Sequence, residues 1–588
     1  MSILNESLAD RIRNSGAPSR PRENAPGAPV DGMSYVRGGT DRELAHITIP
    51  QLMRKAVSRH GPRDAVVFAD TGARRSYYDF DREIDALATG LLAMGLQKGE
   101  RVGIWSPNRY EWILTQFATA RIGLVLVNIN PAYRLAEVEY ALNKVGCRAL
   151  VLAKSFKTSD YLAMIWQLAP ELETCAPGRL SAARLPTLRS VVVMDESPGP
   201  GVFTFDQVRN LGGPAQQLRL PMIDSALDPD DAINIQFTSG TTGAPKGATL
   251  SHYNIVNNAR FVTGRIQLTD TDRLCIPVPL YHCFGMVMGV LGAVSRGAAM
   301  VFPGEAFDPV ATLRALSGER CTAVYGVPTM FVAMLQALEN QSFDLGALRT
   351  GIMAGAPCPI DVMEQVNNRM NMRQVTICYG MTETSPVSFQ SFVDDPVDKR
   401  CSTVGRVHPH LEVKIVDADG TIAPVGEQGE LCTRGYSVMK GYWADDERTR
   451  ESIIDGWMHT GDLATFDDDG FCSIVGRVKD MIIRSGENIY PREIEEYLFR
   501  HPEVSEAQVF GIPDETYGEV VCAWIIPKPG SNLTEDTIRQ FCQGQIAHYK
   551  VPQHIRIVDE IPMTITGKPQ KFVMRDRMVE MLSAGAAG

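Results

Sequence analysis

The sequence predicts an α/β fold built from several subdomains, and three observations lead to this prediction. The chain has 588 residues, too many for one hydrophobic core. From Thr48 to about Asp224, and again from Ala232, short β-rich runs alternate with helix-spaced apolar runs, as in parallel βαβ units. After Ser402 the chain becomes β-rich and Gly-punctuated, and it ends in a compact unit of about a hundred residues. We therefore predict a large N-terminal domain of two α/β subdomains plus a small β-barrel-like subdomain, followed by a small α+β C-terminal domain.

The first α/β block is predicted from the alternation of two hydrophobic periods. Apolar residues at helical spacing predict helices at Thr48–Ser58, Tyr78–Met94, Glu111–Ala120 and Leu135–Val145. Short apolar runs predict buried strands at Arg101–Trp105, Leu124–Asn128 and Ala149–Ala153. Leu211–Gln217 is predicted to be a linker to the second block.

The second block repeats the pattern and gathers polar residues at strand ends. Its predicted strands are Ala232–Phe237, Leu274–Leu280, Ala299–Phe302, Ala323–Tyr325, Gly351–Met353 and Val375–Tyr379, with helices at Pro309–Ser317 and Met330–Leu338. Tyr281 and His282 follow one strand, Gly355–Pro357 follow another, and Gly380–Glu383 follow a third. Ligands of open α/β sheets bind beyond the carboxyl ends of the strands, so these residues are predicted to share one cleft.

The last part of the chain supplies the domain boundaries. The β-rich stretch runs from Ser402 to Gly476, and the final unit is predicted to contain helices at Arg492–Arg500 and Thr537–Ala547. We predict an N-terminal tail without fixed structure at 1–44, the N-terminal domain at 45–477, the C-terminal domain at 478–578 and a C-terminal tail at 579–588.

Composition and charge exclude several functional classes. The net charge is −11 and no basic block stands out, which argues against a general nucleic-acid binder. None of the 12 cysteines forms a CxxC pair, which argues against zinc ribbons and redox dithiols and favours a reduced, cytoplasmic protein.

Targeting signals are weak in this sequence. Met1–Pro29 lacks the apolar core of a secretory signal and matches an organelle-import helix poorly, although a targeting segment stays open. The most apolar stretch, Gly285–Val294, is cut short by Arg296, so no integral membrane segment is expected.

The stretch Phe237–Leu250, with the sequence FTSGTTGAPKGATL, indicates a polyphosphate site. Glycines allow backbone N–H groups to approach an anion closely, while hydroxyls and a lysine add donors and positive charge. It is not a Walker loop, because Pro245 stands where the second glycine should be. The candidate phosphate-binding residues are Thr238, Ser239, Gly240, Thr241, Thr242, Gly243 and Lys246.

This loop resembles the phosphate-binding signature of the adenylate-forming (AMP-binding) superfamily, which includes acyl-CoA synthetases. Three further strings carry the resemblance, namely YGMTETSP at Tyr379–Pro386, GRVKDMIIRSGENIYP from Gly476 and TITGKPQK at Thr564–Lys571. The likeness covers about residues 45–578 and extends to medium-chain acyl-CoA ligases of the acyl-CoA synthetase family member 2 type. It implies ATP and coenzyme A as co-substrates, Mg²⁺, a carboxylic acid substrate and a mobile C-terminal domain, and it leaves a homodimer open.

The resemblance also assigns roles to individual residues. Glu383 is a hard oxygen ligand suited to Mg²⁺, and Thr382 matches a position that binds the α-phosphate. Lys568 matches the lysine that stabilises the pentavalent phosphate during adenylation. The remaining nucleotide-binding candidates are Gly355, Ala356, Pro357, Tyr379 as an adenine-stacking ring, Gly380, Met381, Asp462 at the ribose hydroxyls and Arg477 at the ribose or phosphate.

Other matched positions concern the second half-reaction. Lys479 aligns with the hinge about which the C-terminal domain rotates, and Gly486 aligns with the glycine of the pantetheine tunnel. The expected chemistry is attack of a carboxylate on the ATP α-phosphate to give acyl-AMP, followed by displacement of AMP by the CoA thiol.

The sequence says less about the acid. His282 stands where amino-acid adenylation domains offer a carboxylate, so an α-amino acid is disfavoured, and His282 is a candidate catalytic residue. Met286, Val327 and Gly355 are candidates for an acyl pocket with room for a medium-chain fatty acid, although the stretch around Met286 could equally be core. Two alternatives stay open, an acyl-AMP ligase that loads a carrier protein and an inactive nucleotide-binding scaffold.

Overall fold

The computed structural model describes residues 27–196, 199–240, 243–484, 487–514, 516–543, 545–564 and 568–586. Thr241, Thr242 and Gly486 lie outside these ranges, so the predictions made for them have no structural counterpart here.

The first α/β subdomain is built on an eight-stranded sheet within the described ranges. Its strands, in spatial order, are Phe203–Thr204, Ser190–Val193, Cys147–Leu152, Arg101–Trp105, Val125–Asn128, Ala232–Gly240, Gly243–Ser251 and Gly441–Tyr442. The strands up to Ala232–Gly240 pair in parallel, and the phosphate-loop hairpin adds antiparallel strands beyond them. The predicted strand Arg101–Trp105 is confirmed at both ends.

A second sheet of nine described strands forms the other α/β subdomain. Its order is Arg406–Val407, Val387–Gln390, Gln374–Gly380, Thr350–Ala354, Ala323–Gly326, Arg273–Cys275, Ala299–Phe302, Asp64–Phe68 and Ala73–Ser76. The strand predicted at Leu274–Leu280 is wrong beyond Cys275. Pro277 and Pro279 carry no N–H group to donate to a neighbouring strand, so the ladder stops before them.

Helices cover both sheets. Those of the first half are Ile49–His60, Tyr77–Ala93, Tyr110–Arg121, Leu135–Val145, Tyr161–Leu168, Phe205–Arg209, Pro214–Gln217 and Leu220–Ser225. The second half contributes His252–Arg265, a π-helix at Phe284–Leu291, Gly292–Arg296, Pro309–Gly318, Pro328–Asn340, Ile360–Arg369 and Val397–Ser402. Short 3₁₀ turns lie at Pro170–Glu173 and Thr382–Thr384. The largest buried cluster joins the two subdomains and includes the fully buried Trp105, Trp112 and Phe117.

The predicted linker is partly helical. Pro214–Gln217 and Leu220–Ser225 form two short helices, although the sequence predicts a linker at Leu211–Gln217. Proline near the start of each helix supplies the backbone angle that a first turn needs and loses no hydrogen bond there.

The small β subdomain is an antiparallel sheet of six described strands. They are Tyr35–Arg37, Leu411–Val416, Gly429–Gly435, Trp457–Phe466, Ile453–Ile454 and Cys472–Arg477, accompanied by the helix Asp446–Ser452. The strand Tyr35–Arg37 corrects the predicted tail at 1–44, because it pairs with Leu411–Val416. Val36 is fully buried in this sheet, and this long-range packing is invisible to a local pattern.

The C-terminal domain has a five-stranded sheet in its described part. Its strands are Glu487–Ile489, Ile482–Arg484, Gly518–Pro527, Val504–Asp514 and His554–Ile557, with helices Pro491–Leu498, Glu535–Cys542 and Lys571–Ala586 and 3₁₀ turns Val478–Asp480 and His548–Lys550. The predicted C-terminal tail is wrong up to residue 586, because the last helix runs through it. Met574 and Met578 anchor that helix by packing under the sheet beside Trp524.

In the described ranges no helix is both long and apolar enough to cross a bilayer.

Candidate active site

A cavity of about 860 Å³ lies between the N-terminal and C-terminal domains. The N-terminal domain contributes the loop Gly355–Cys358, the strand end Ile377–Met381 and Asp462 to its wall. The C-terminal domain contributes Thr564 and Lys568, with further wall from its helices. The structure therefore brings together ten of the predicted site residues, which are Gly355, Ala356, Pro357, Tyr379, Gly380, Met381, Asp462, Arg477, Lys479 and Lys568.

Glu383 is a buried carboxylate that joins the phosphate loop to the second signature. Its side chain is held in the 3₁₀ turn Thr382–Thr384, directly after the strand Gln374–Gly380, and the residue is 5% exposed. Oε1 accepts hydrogen bonds from the Thr238 hydroxyl at 3.1 Å and from the Tyr442 hydroxyl at 2.9 Å. Since charged acceptors strengthen hydrogen bonds, both donors fix the carboxylate at the mouth of the phosphate loop.

Tyr442 extends the link to Lys246. The Lys246 ammonium lies 4.8 Å from the centre of the Tyr442 ring, within the range of a cation–π contact. Tyr442 sits on the edge strand Gly441–Tyr442, which pairs with the second strand of the phosphate-loop hairpin. Burial, with Glu383 as a second cause, raises the pKa of Tyr442, so its hydroxyl stays a donor to the carboxylate at neutral pH.

Asp462 is a second buried carboxylate, 6% exposed, and it lines the cavity. Tyr379 donates its hydroxyl to Oδ2 at 2.5 Å, and Arg477 donates Nε–H to Oδ1 at 2.8 Å. The strands that carry Asp462 and Arg477 pair directly, which places the two charges side by side. The Coulomb attraction of Asp462 is the main cause that raises the pKa of Arg477.

Glu430 holds the turn before Asp462 in place. Its Oε1 accepts the backbone N–H of Gly461 at 3.0 Å, and its Oε2 lies 2.8 Å from His459 Nδ1. Thr460 adds a hydroxyl that donates to the Leu431 carbonyl at 2.7 Å. These bonds hold Asp462 without occupying all of its acceptor capacity, which a ribose hydroxyl would need.

Lys568 places the charge of the C-terminal domain in the cavity. Its surface is exposed toward the cavity, while the protein atoms around the amine desolvate it and so lower its pKa. The charge of Arg477 lowers the pKa further, and Asp462 and Glu383 oppose the shift. The amine thus lies close enough to both site carboxylates for their charges to act on it. Its own positive charge is poorly solvated, and an anionic phosphate would neutralise it.

His282 is a neutral ring in this site. Burial, and then the charge of Lys568, lower the pKa of His282 to about 3. Its Nδ1 accepts the backbone N–H of Phe284 at 3.2 Å, so a proton can reside on Nε2. A neutral imidazole in this position can donate a hydrogen bond to a substrate oxygen, but it adds no charge.

The three acyl-pocket candidates separate in the structure. Gly355 has a φ of +93° and borders the cavity, and a Cβ there would lie 3.2 Å from Val327 Cγ1. Only glycine suits that backbone region, so Gly355 keeps the space beside Val327 open. Met286 instead lies in the core at 1% exposure, where its Sδ accepts from Asn128 and Gln236 at 3.2 and 3.1 Å.

Two further predicted site residues are Gly380, where the backbone packs closely, and Lys479, which is exposed. A Cβ at Gly380 would lie 1.7 Å from the Pro386 carbonyl oxygen, so the turn that presents Thr382 and Glu383 requires glycine. Lys479 is exposed in the 3₁₀ turn Val478–Asp480, which connects the last strand of the β subdomain to the C-terminal domain. This position is the one that a hinge would need.

Sequence reasoning missed Tyr442 and Glu430. Both lie outside the glycine-rich signatures, and a lone Tyr or Glu within a strand carries no local signal of function. Their partners are 59 and 31 residues away along the chain, so only the folded sheet order identifies them.

Two family models match this chain. The sequence model of the AMP-binding enzyme family matches residues 53–443, and that of the AMP-binding enzyme C-terminal domain matches residues 493–568. The chain belongs to the AMP-binding enzyme family. The predicted superfamily is thereby confirmed.

Individual relatives agree with this assignment. The chain is 48% identical over 564 residues to the medium-chain acyl-CoA ligase ACSF2, mitochondrial, of Danio rerio, covering 95% of this chain and 93% of that protein. It is 46% identical over 548 residues to the putative acyl-CoA synthetase YngI of Bacillus subtilis (strain 168), covering 93% of this chain and 100% of that protein.

Solved structures confirm the predicted fold. ATP-bound MatB from Rhodopseudomonas palustris superposes with a TM-score of 0.78 at 28% identity, covering 90% of this chain and 98% of that chain. The anthranilate CoA ligase AuaEII in complex with anthranoyl-AMP gives a TM-score of 0.79 at 26% identity, covering 92% of this chain and 98% of that chain.

Proposed function

We propose that this protein is an AMP-forming acyl-CoA synthetase that activates a carboxylic acid, in particular a medium-chain fatty acid, as acyl-AMP and transfers the acyl group to coenzyme A. The observation that carries the proposal is that Lys568 of the C-terminal domain lines one cavity together with Asp462 of the N-terminal domain, and that the charges of Asp462 and Glu383 both act on the pKa of Lys568. The names of the Danio rerio and Bacillus subtilis relatives support the reaction class, and the former supports the chain length.

In the first half-reaction a substrate carboxylate oxygen attacks the ATP α-phosphorus, and pyrophosphate leaves. Lys568 supplies positive charge where negative charge develops on the α-phosphoryl oxygens. Asp462, held by Tyr379 and Arg477, accepts hydrogen bonds from the ribose hydroxyls. Neutral His282 orients the carboxylate by hydrogen bonding and does not compete with it for a proton.

The residues around Glu383 fit a magnesium ion. Its Oε1 carries two hydroxyl donors, whereas Oε2 has no hydrogen-bond donor among the described residues. A buried carboxylate oxygen beside a phosphate loop is a ligand that Mg²⁺ prefers. The ion would neutralise charge on the ATP phosphates, and Thr238 and Tyr442 would keep the carboxylate in place to bind it.

In the second half-reaction the CoA thiol attacks the acyl-AMP carbonyl and AMP leaves. We assign Lys479 as the hinge about which the C-terminal domain turns, so that Lys568 withdraws and Gly486 enters the cleft. The exposed position of Lys479 between the two domains supports the hinge. Gly355 and Val327 are assigned to the acyl pocket, and Met286 is assigned to its supporting core.

A panel of saturated acids of graded length, with ATP, Mg²⁺ and CoA, tests the proposal through AMP release and mass spectrometry of the thioester. We expect AMP release and thioester formation to be greatest with acids of medium chain length. We expect neither product with α-amino acids. Acid-dependent pyrophosphate release without a CoA thioester would favour the carrier-loading alternative. No acid-dependent pyrophosphate release with any acid would favour the scaffold alternative.

Two further expectations concern the cell and the assembly. The sequence predicts a cytoplasmic protein, while the Danio rerio relative is named as mitochondrial, so imaging of the tagged full chain decides between these compartments. Light scattering of the purified chain tests the homodimer.

A further inference from the structure

Three side chains of different chemistry lie together on one face of the small β subdomain. Glu430 and Cys432 stand two residues apart on the strand Gly429–Gly435, so their side chains point to the same face of the sheet. Cys432 pairs in register with His459 on the neighbouring strand Trp457–Phe466. One carboxylate oxygen, the thiol sulfur and one ring nitrogen all lie within 4.8 Å of one another. The sheet register thus brings together oxygen, sulfur and nitrogen donors from two strands.

The distances among these atoms centre on His459 Nδ1. This nitrogen lies 2.8 Å from Glu430 Oε2 and 3.5 Å from Cys432 Sγ. A tetrahedral Zn²⁺, with Zn–N of about 2.05 Å and Zn–S of about 2.3 Å, holds its nitrogen and sulfur ligands about 3.5 Å apart. The same geometry holds nitrogen and oxygen ligands roughly 3.3 Å apart. The three atoms therefore fit the ion once His459 and Glu430 separate by about half an ångström.

The cluster is held in place and is open to solvent on one side. Glu430 Oε1 accepts the Gly461 N–H at 3.0 Å, which leaves Oε2 to face His459. The side chains of His459 and Glu430 are 24% and 26% exposed, whereas Cys432 is buried beside Trp457. An ion can therefore enter from the solvent side and keep a water molecule as its fourth ligand, as zinc sites with three protein ligands do.

The mixed donor set selects the kind of ion. Mg²⁺ and Ca²⁺ take oxygen ligands, whereas sulfur and imidazole nitrogen favour Zn²⁺. Glu430 and an ionised Cys432 together carry two negative charges, which balance the charge of the ion. The nearest strand partner of Cys432 on the other side is Lys414, whose ammonium is held 4.7 Å from the centre of the Trp457 ring. The donors and charges of the cluster therefore match Zn²⁺.

We propose that Glu430, Cys432 and His459 form a zinc-binding site at the turn that presents Asp462. On binding, the ion forms bonds to Oε2, Sγ and Nδ1, the Cys432 S–H bond breaks and its proton passes to solvent. The ring proton of His459 resides on Nε2, so that Nδ1 offers its lone pair. Burial, with Glu430 as a second cause, raises the pKa of the Cys432 thiol to about 12, and Lys414 opposes the shift, so this proton is present until the metal displaces it.

Zinc at this site acts on the nucleotide cavity through Glu430. The same carboxylate accepts the N–H of Gly461, which directly precedes Asp462 on the cavity wall. Because the ion separates Glu430 from His459, it displaces the turn that carries Asp462. We therefore expect zinc to raise the KM for ATP. This consequence rests on the proposed function, whereas binding of the ion does not.

Titration of the reduced, full-length protein with Co²⁺, without nucleotide, tests the site. Co²⁺ takes the place of Zn²⁺ and gives a sulfur-to-cobalt charge-transfer absorption in the near ultraviolet when a thiolate binds it. We expect one equivalent of Co²⁺ to produce this band and one equivalent of Zn²⁺ to remove it. The band separates this site from Glu383, which offers oxygen and no sulfur. Absence of the band in the folded, reduced protein overturns the proposal.

Two serine variants supply the matched comparison. Cys432→Ser should lose the band and bind Zn²⁺ at least about 10-fold more weakly, since even changes outside the ligand shell cost about 10- to 100-fold in metal affinity. Cys472→Ser should keep both, because Cys472 is a buried thiol of the same sheet that belongs to no such cluster in the described ranges. A band that persists in Cys432→Ser, or that is lost equally in Cys472→Ser, overturns the site.

A third variant and the ATP kinetics complete the test. His459→Gln keeps the sulfur and removes one ligand, so it should also weaken Zn²⁺ binding, and it decides the question if Cys432→Ser does not fold. With Mg²⁺ in excess, added Zn²⁺ should raise the KM for ATP in the unmodified protein and leave it unchanged in Cys432→Ser. Zinc binding that leaves the KM of the unmodified protein unchanged overturns only the effect on the nucleotide cavity.

Discussion

Replacing Lys568 with alanine tests how the two domains share the chemistry. Lys568 comes from the C-terminal domain, yet its amine lies within electrostatic range of Glu383 and Asp462 in the N-terminal domain. We expect Lys568→Ala to lose acyl-AMP formation while it still converts supplied acyl-AMP and CoA to thioester, because the proposed role of the lysine is confined to the first half-reaction.

The size of the loss follows from the position of the charge. Two unit charges in contact at about 4 Å interact by about 4 kcal/mol at an effective dielectric constant of 20, which corresponds to roughly a 10³-fold change in rate. Lys568 is exposed toward the cavity, so solvent screening brings the expected loss toward about 10²-fold.

The pKa of Lys568 gives a second measure of the same interaction. Desolvation and Arg477 lower this pKa, so the amine should lose its proton at a lower pH than an ordinary lysine. In the proposed mechanism adenylation needs the charged amine, so its rate should decline at alkaline pH before an ordinary lysine would titrate. A bound anionic phosphate should raise the pKa again, so the decline should move to higher pH when ATP is saturating.

The assay is acid-dependent exchange of labelled pyrophosphate into ATP, with thioester formation from synthetic acyl-AMP measured in parallel. Lys571→Ala is the matched control, because Lys571 lies on the same cavity wall but its amine is paired with Glu495 at 2.7 Å. The control should lose stability and keep most of its exchange rate. Equal loss of both half-reactions in Lys568→Ala, or equal effects of the two variants on exchange, would refute the assigned role.

Three other predictions come from the same contacts. Tyr442→Phe removes the 2.9 Å hydrogen bond to buried Glu383, and since such bonds to charged groups contribute about 1.5–3 kcal/mol, we expect adenylation kcat/KM for ATP to fall about 10- to 100-fold. Tyr436→Phe, which alters a buried hydroxyl elsewhere, should lower stability only, and a similar kinetic loss in both variants would contradict the role of Tyr442. Gly486→Leu should accumulate acyl-AMP by blocking the proposed tunnel, and thioester formation at the normal rate would show that the tunnel lies elsewhere. Burial lowers the pKa of His252 to about 3. Between about pH 6.5 and 3 the unfolded chain therefore binds more protons than the folded protein. The free energy of unfolding then falls as the pH falls, by up to about 1.4 kcal/mol per pH unit. The free energy of unfolding, measured with urea at pH 7, 6 and 5, should change less with pH in His252→Gln than in the unmodified protein. An unchanged pH dependence would exclude this histidine as a cause.

Local patterns in the sequence were sufficient for most of the secondary structure. The helix Leu135–Val145 and the strand Arg101–Trp105 were predicted at both ends, because each has a clean hydrophobic period and a clear stop. Gly146, with a φ of 63°, is the left-handed residue that ends the helix. The strand prediction for Leu274–Leu280 failed because apolar character alone does not show whether each residue has an N–H group to donate to a neighbouring strand.

The sequence by itself determined the family and most of the candidate residues, because the signatures are short and continuous and each requires glycines or hydroxyls at fixed spacing. Only the tertiary structure decided how these residues are connected. Thr238 meets Glu383 across 145 residues and Tyr379 meets Asp462 across 83. The physical reason is that sheet order and domain packing, which place strand ends side by side, depend on the whole buried core and not on neighbouring residues in the chain.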